Sequence, residues 1–142
     1  VYFPFAPIVP LWLKLSLAAN TRGNTMIKFY GYKKCGTCRK AEKALENLGA
    51  QYTFIDITEK PPGATALKKM AAQSGVELKK LFNTSGVQYR ELNIKEKLPS
   101  LSDKQILDLL AGNGRLIKRP IVTDGENTTI GFKEEDFKKA WA

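Results

Sequence analysis

Two cysteines, the only ones in the chain, stand three positions apart in Cys35-Gly36-Thr37-Cys38. That spacing suits thiol–disulfide exchange, in which one thiolate attacks a disulfide sulfur and a second cysteine resolves the mixed disulfide by intramolecular attack. Lys33, Lys34, Arg39 and Lys40 surround the pair with positive charge, which favours thiolate over thiol. In this reading Cys35 attacks and Cys38 resolves. Zinc is the obvious rival for such a motif, but it normally takes four ligands, and the sequence offers neither a third cysteine nor any histidine. The bland alternative, two buried cysteines acting as small hydrophobes, is weakened by the neighbouring lysines and by Gly36. The missing histidine also excludes Cys–His and Ser–His activation of a nucleophile. A loop this short is no framework for a secreted fold, so a reducing compartment, the cytoplasm, is expected.

The elements that must position this pair are legible around it. Ile27 to Tyr32 is short, aromatic and β-branched, as a buried strand is. From Arg39 to Leu48, Ala41, Ala44, Leu45 and Leu48 fall on one helical face, and Gly49 supplies the stop. Tyr52 to Ile57 is a second strand candidate, broken by Pro61-Pro62-Gly63. A helix between two strands makes a β-α-β unit with parallel strands. Residues 64–111 read as helical with no competing strand, and Ser102 with Gln105 has the form of a capping box that starts the last of these helices near Asp103. Ile121 to Thr123 and Thr128 to Phe132 predict an antiparallel hairpin around Asp124-Gly125-Glu126-Asn127, and Lys133 to Trp141 predicts a closing helix. The order β-α-β, helical insertion, β-β-α is that of an α/β thioredoxin-like fold with a four-stranded mixed sheet.

Within that fold the dithiol falls where a strand ends and a helix begins, where unpaired amide N–H groups and the positive end of the helix dipole favour an anion. A second constellation, Leu116-Ile117-Lys118-Arg119-Pro120-Ile121-Val122, places a proline at a strand start. In a thioredoxin fold this proline is typically cis and faces the active cysteine, so Pro120 and Arg119 are expected to line the same cleft. Arg119 is either a surface cation or a fork of donors for an oxyanion or a carboxylate. Arg90 reads as structural.

At 142 residues, 43% hydrophobic and 26% charged, the chain has room for one core. Its net charge of +9 suits anionic partners. The lysines are dispersed and no nucleic-acid motif occurs, so no specific nucleic-acid binding is expected. The first 25 residues have another character: apolar, proline-rich near the start and free of acidic residues. Their charge placement argues against a signal peptide, and Pro4, Pro7, Pro10 and Lys14 interrupt a spanning helix. They are expected to lie outside the fold, as translated upstream sequence from a misplaced start, an appended segment or an export signal, with the folded unit covering residues 26–142 and no membrane attachment.

Taken together, Tyr32-Lys33-Lys34-Cys35-Gly36-Thr37-Cys38-Arg39-Lys40-Ala41, Asn83-Thr84-Ser85-Gly86 with Tyr89-Arg90, the Leu116–Val122 segment and Gly131-Phe132 resemble the glutaredoxin-dependent arsenate reductases and their relatives, the Spx-type redox-sensing regulators of bacterial RNA polymerase. The resemblance covers residues 26–142. It implies an oxyanion or substrate set of Arg119, Pro120, Gly36 and Thr37 around the catalytic Cys35 and Cys38. It also implies no bound cofactor, with glutathione and glutaredoxin, or thioredoxin, as electron donor. Those reductases pair one cysteine with three arginines. Arg119 matches one, whereas Asn83 stands where a second would be and Phe132 or Gly131 where the third would be. Cys38 occupies a position where the reductases have serine. Spx-type regulators keep the Cys-x-x-Cys pair as a switch, and Gly75 falls near the surface with which they grip the polymerase, although a glycine there also suits a helix C-cap. Three readings follow: a thiol–disulfide oxidoreductase first, an arsenate reductase second, and a redox-sensing regulator that binds RNA polymerase third.

Overall fold

The computed structural model describes residues 26–142; the reading of residues 1–25 as a leader lies outside the described residues. Strand β1 (Ile27–Gly31) alternates so that Phe29 and Gly31 are buried. Helix α1 (Gly36–Asn47) follows it and leads to β2 (Tyr52–Asp56), which pairs parallel to β1 in the register Ile27↔Tyr52 to Gly31↔Asp56. Strand β3 (Ile121–Thr123) pairs antiparallel to β1, and β4 (Thr128–Ile130) antiparallel to β3, giving the order β2-β1-β3-β4. This mixed sheet in its α/β setting is the expected thioredoxin-like fold.

Side chains that alternate along a strand serve two cores, and neighbouring residues of β3 show it. Val122 joins Phe29, Cys38, Ala41, Leu45, Phe137 and Trp141 beneath α1 and the closing helix α6 (Glu134–Trp141). Ile121 instead faces the helical insertion, with Ile57, Leu67, Leu81, Leu110 and Ile117. Burying each large aliphatic side chain is worth about 1.5–3 kcal/mol, so both faces hold the sheet and the cysteine helix in place.

The insertion is more broken than its composition suggests. It contains α2 (Ala64–Ser74), α3 (Val87–Glu91), α4 (Ile94–Lys97) and α5 (Asp103–Gly112), with 3-10 turns at Leu78–Leu81, Leu98–Ser100 and Gly114–Leu116. Asn93 in left-handed conformation separates α3 from α4. Ser102 caps α5 reciprocally with Gln105, as the capping box predicts. Gly75 closes α2 at φ 72°, the C-cap role open to it. One extended contact interrupts the helical stretch, a bridge between Phe82 and Ile117 that ties the insertion to the segment before Pro120. Several boundaries also move by one residue or more. Helix α1 starts at Gly36 rather than Arg39, because the helix takes in Cys38 on its buried face, and β4 stops at Ile130 because Gly131 turns to φ 79°.

Candidate functional site

Cys35 is the N-cap residue of α1, in extended conformation (φ −86°, ψ 120°). Its N–H donates to the Tyr32 carbonyl at 3.0 Å, and its carbonyl accepts from Arg39 N–H at 3.1 Å. The loop from β1 is therefore closed over the helix start. Cys35 is half-buried, Cys38 is completely buried in the core with Phe29 and Leu45, and both are free thiols. Gly31 makes room for this packing: a Cβ there would lie 2.5 Å from Phe29 Cε1 and 3.3 Å from Cys38 Sγ.

The two sulfurs are driven in opposite directions. Burial raises the Cys35 thiol, but the N–H and S–H of Cys38, the Arg119 charge and the Thr37 N–H outweigh it, so Cys35 is held below the ordinary cysteine range. Burial pushes Cys38 up to about 12, with the hydrogen bond to Cys35 and the Cys35 charge adding to the rise. One proton thus stays on the inner sulfur while the outer one ionises more readily, as expected where amide N–H groups converge at a helix start.

Arg119 supplies the cation that reaches Cys35, whereas Lys33 and Arg39, expected to do so from the sequence, are engaged elsewhere. Lys33 Nζ pairs with Glu42 at 3.1 Å and sits 4.0 Å from the Phe54 ring centroid. Arg39 Nε donates to the Lys33 carbonyl at 3.1 Å and so braces the loop. The Arg119 guanidinium lies 5.1 Å from the Tyr32 ring centroid, and the Arg119–Pro120 peptide is cis. Arg90 donates to the Ser85 carbonyl, a structural role as expected. Gly36 has no neighbour that a Cβ would meet, so space does not demand glycine there. Phe132 packs edge-on against Phe137, with ring centroids 5.1 Å apart, and brings no charge.

A cleft of about 150 Å³ opens beside this site, walled by Tyr32, Thr58, Asn83, Gln88, Arg115 and Arg119. The sequence reading did not single out Arg115, Gln88 or Thr58. Arg115 had a signal, standing four residues before Arg119 across the buried pair Leu116-Ile117. Its placement depends on Gly114, where a Cβ would overlap the Ile57 carbonyl oxygen. Thr58 is fixed by donating N–H and Oγ1 to Asp56 Oδ1 at 2.9 and 2.6 Å. Those bonds, together with the Arg119 charge, hold the Asp56 carboxyl below its usual range. Among the described residues, no group of three or more His, Cys, Asp and Glu side chains converges in a way that could hold a metal ion, and no helix is long and apolar enough to cross a membrane.

The model of the ArsC family matches residues 30–140, which include both cysteines and the cis-proline segment. The chain belongs to the ArsC family. This ArsC-family chain is 55% identical over 116 residues to Bacillus subtilis YusI, covering 82% of this chain and 98% of YusI. The arsenate reductase of Acidiphilium multivorum is 32% identical over 104 residues, covering 73% of this chain and 72% of that enzyme. The global transcriptional regulator Spx of Listeria innocua is 25% identical over 114 residues, covering 80% of this chain and 86% of Spx. Among solved structures, an ArsC family related protein from Bacteroides fragilis superposes with a TM-score of 0.78 at 41% identity, covering 82% of this chain and 98% of that one. The ArsC-family chain therefore shares its fold with relatives named for an enzyme and with relatives named for a regulator.

Proposed function

We propose that the protein is a thiol–disulfide oxidoreductase in which Cys35 is the nucleophile and Cys38 the resolving thiol. One observation carries this reading: the two sulfurs share one helix start, the outer one held below and the inner one well above the ordinary cysteine range. The Cys35 thiolate attacks one sulfur of a substrate disulfide, forms a mixed disulfide and expels the other sulfur as a thiolate. Forming that bond removes the negative charge on Cys35, which is one cause of the raised Cys38 value. Cys38 then loses its proton and attacks Cys35, releasing the second substrate thiol and leaving a Cys35–Cys38 disulfide. Arg119 stabilises the attacking thiolate, and Pro120, Gly36 and Thr37 frame it. Glutathione, glutaredoxin or thioredoxin in a reducing cytoplasm would return the pair to the dithiol. Reaction of the reduced protein with 2-hydroxyethyl disulfide, followed by intact mass, tests the roles. The wild type should pass through an adduct to an intramolecular disulfide, Cys38→Ser should retain the adduct, and Cys35→Ser should form none. Clearance of the adduct at the wild-type rate in Cys38→Ser would overturn the assignment.

A second reading, arsenate reduction, has one observation in its favour. Arg115 shares the cleft with Arg119 and supplies a second guanidinium where the sequence shows Asn83. Arsenate-dependent NADPH consumption with glutathione, glutaredoxin and glutathione reductase would decide it: turnover lost in Cys35→Ser supports this reading, and no turnover above that variant removes it.

A further inference from the structure

Tyr32 touches each of the groups that the exchange chemistry uses. Its carbonyl accepts the Cys35 N–H at 3.0 Å, its own N–H donates to the Cys38 sulfur, and its ring centroid lies 5.1 Å from Arg119 Cζ. That separation is inside the ~6 Å at which a cation over an aromatic face is attracted. Core packing does not account for the side chain. Tyr32 is half-buried, belongs to neither hydrophobic core, and its hydroxyl makes no hydrogen bond among the described residues. The Arg119 guanidinium, for its part, makes no hydrogen bond and no ion pair among the described residues, so the Tyr32 ring is its holding contact. Two acidic groups feel its charge, the Cys35 thiol and the Asp56 carboxyl. Asp56 is held below the usual carboxylate range and is therefore charged wherever the thiol titrates. A long, rotatable arginine side chain with nothing to hold it would be drawn to that permanent charge and away from the sulfur.

We propose that Tyr32 is a positioning residue for thiol exchange, the face of its ring holding the Arg119 guanidinium beside the dithiol rather than against Asp56. The proposal rests on the exchange reading and adds to it the residue that decides where the cation stands. Because the Arg119 charge acts on both sulfurs, a guanidinium held there serves both steps. It favours the Cys35 thiolate that attacks the substrate disulfide, and it favours the Cys38 thiolate that forms when Cys38 gives its proton to solvent and resolves the mixed disulfide. The ring face is what matters, so the conservative change to phenylalanine keeps the function and an aliphatic side chain loses it.

The test measures, in the reduced full-length protein, the pH at which alkylation of Cys35 by iodoacetamide reaches half its maximal rate. Tyr32→Leu should raise that midpoint by roughly half a pH unit, the scale of one partly screened charge moving away from the sulfur. Tyr32→Phe, which keeps the ring, should stay within about 0.2 of a unit of the wild type. Beside Arg119→Met, Tyr32→Leu should add no further shift, because the cation it would release is gone. An unmoved midpoint in Tyr32→Leu, or an equal rise in Tyr32→Phe, would overturn the assignment. So would a rise that persists undiminished beside Arg119→Met, since the main-chain loop and not the guanidinium would then be moving the sulfur. Should Tyr32→Leu fail to fold, nuclear magnetic resonance of the wild type decides: ring current from Tyr32 should displace the Arg119 side-chain protons upfield, and ordinary arginine shifts would overturn the contact. Reduction of 2-hydroxyethyl disulfide by the wild type reports on the exchange reading by itself. Its absence removes that reading, while the midpoints still decide whether Tyr32 places the cation.

Discussion

Cys38 should be chemically silent while Cys35 is reactive, and the size of that difference follows from the site. At pH 7 an ordinary cysteine with a pKa near 8.5 is about 3% thiolate. Cys38, pushed up to about 12 by burial and by its neighbour, is ionised to only about one part in 10⁵ at that pH. A more basic thiolate is a better nucleophile, and a Brønsted slope of ~0.4–0.5 returns about 40-fold of the roughly 3,000-fold deficit. Cys38 should therefore react about a hundredfold more slowly than an ordinary thiol, before its complete burial adds a further block. Cys35 lies on the other side of the ordinary range, so the contrast between the two is at least a hundredfold. The assay is a limiting pulse of iodoacetamide on the desalted, reduced protein at pH 7, with peptide mass spectrometry to locate the label. Cys35→Ser is the companion variant. It removes the Cys35 charge from Cys38 but not the burial, so Cys38 should stay slow. Labelling of the two cysteines within tenfold of each other, or prompt labelling of Cys38 in Cys35→Ser, would refute the reasoning.

Further perturbations probe other parts of the structure. Replacing Arg119 by Met removes a cation that favours the Cys35 thiolate, so the midpoint of its alkylation rate against pH should move to higher pH; no movement would show that Arg119 does not act on the sulfur. The raised Cys38 value gives neutral Cys38 a stabilising role that is complete below the unfolded cysteine pKa near 8.5 and is lost as pH rises through about 12. Urea unfolding should therefore show the wild type losing ground to Cys38→Ala between about pH 9 and 11, and a constant difference would contradict this. A Cβ at position 114 would overlap main-chain atoms of Ile57, which cannot rotate away. Gly114→Ala should accordingly cost about 2–4 kcal/mol in urea unfolding, and a loss below about 0.5 kcal/mol would mean that the 57–58 loop yields freely.

The sequence disclosed most where local chemistry decides the outcome. Apolar spacing places α1 and its buried Ala41 and Leu45, Ser102 and Gln105 announce the cap of α5, and the position of Cys35 at a strand–helix junction needs no tertiary information. What it concealed depends on contacts distant in the chain. Lys33 and Arg39 look like natural partners of a thiolate beside them, yet Glu42, the Phe54 ring and main-chain carbonyls claim them, and the effective cation comes from Arg119, 84 positions after Cys35. Gln88 carries no motif, and Arg115 is marked only by its spacing from Arg119. They become neighbours only because the Phe82–Ile117 bridge and the close fit of Gly114 against Ile57 fold the insertion onto the end of the sheet. The broken helices between residues 87 and 100 were equally hidden, since a left-handed Asn93 is not announced by apolar periodicity.

The central claim, that Cys35 and Cys38 form one reversible redox couple, is tested most directly by equilibrating the protein in glutathione buffers of graded potential and reading the oxidation state by thiol trapping and intact mass. A single two-electron transition between the dithiol and an intramolecular Cys35–Cys38 disulfide, absent from Cys38→Ser, is the predicted result. A wild type that accumulates only a glutathione adduct on Cys35, with Cys38 still a free thiol at every potential, would contradict it.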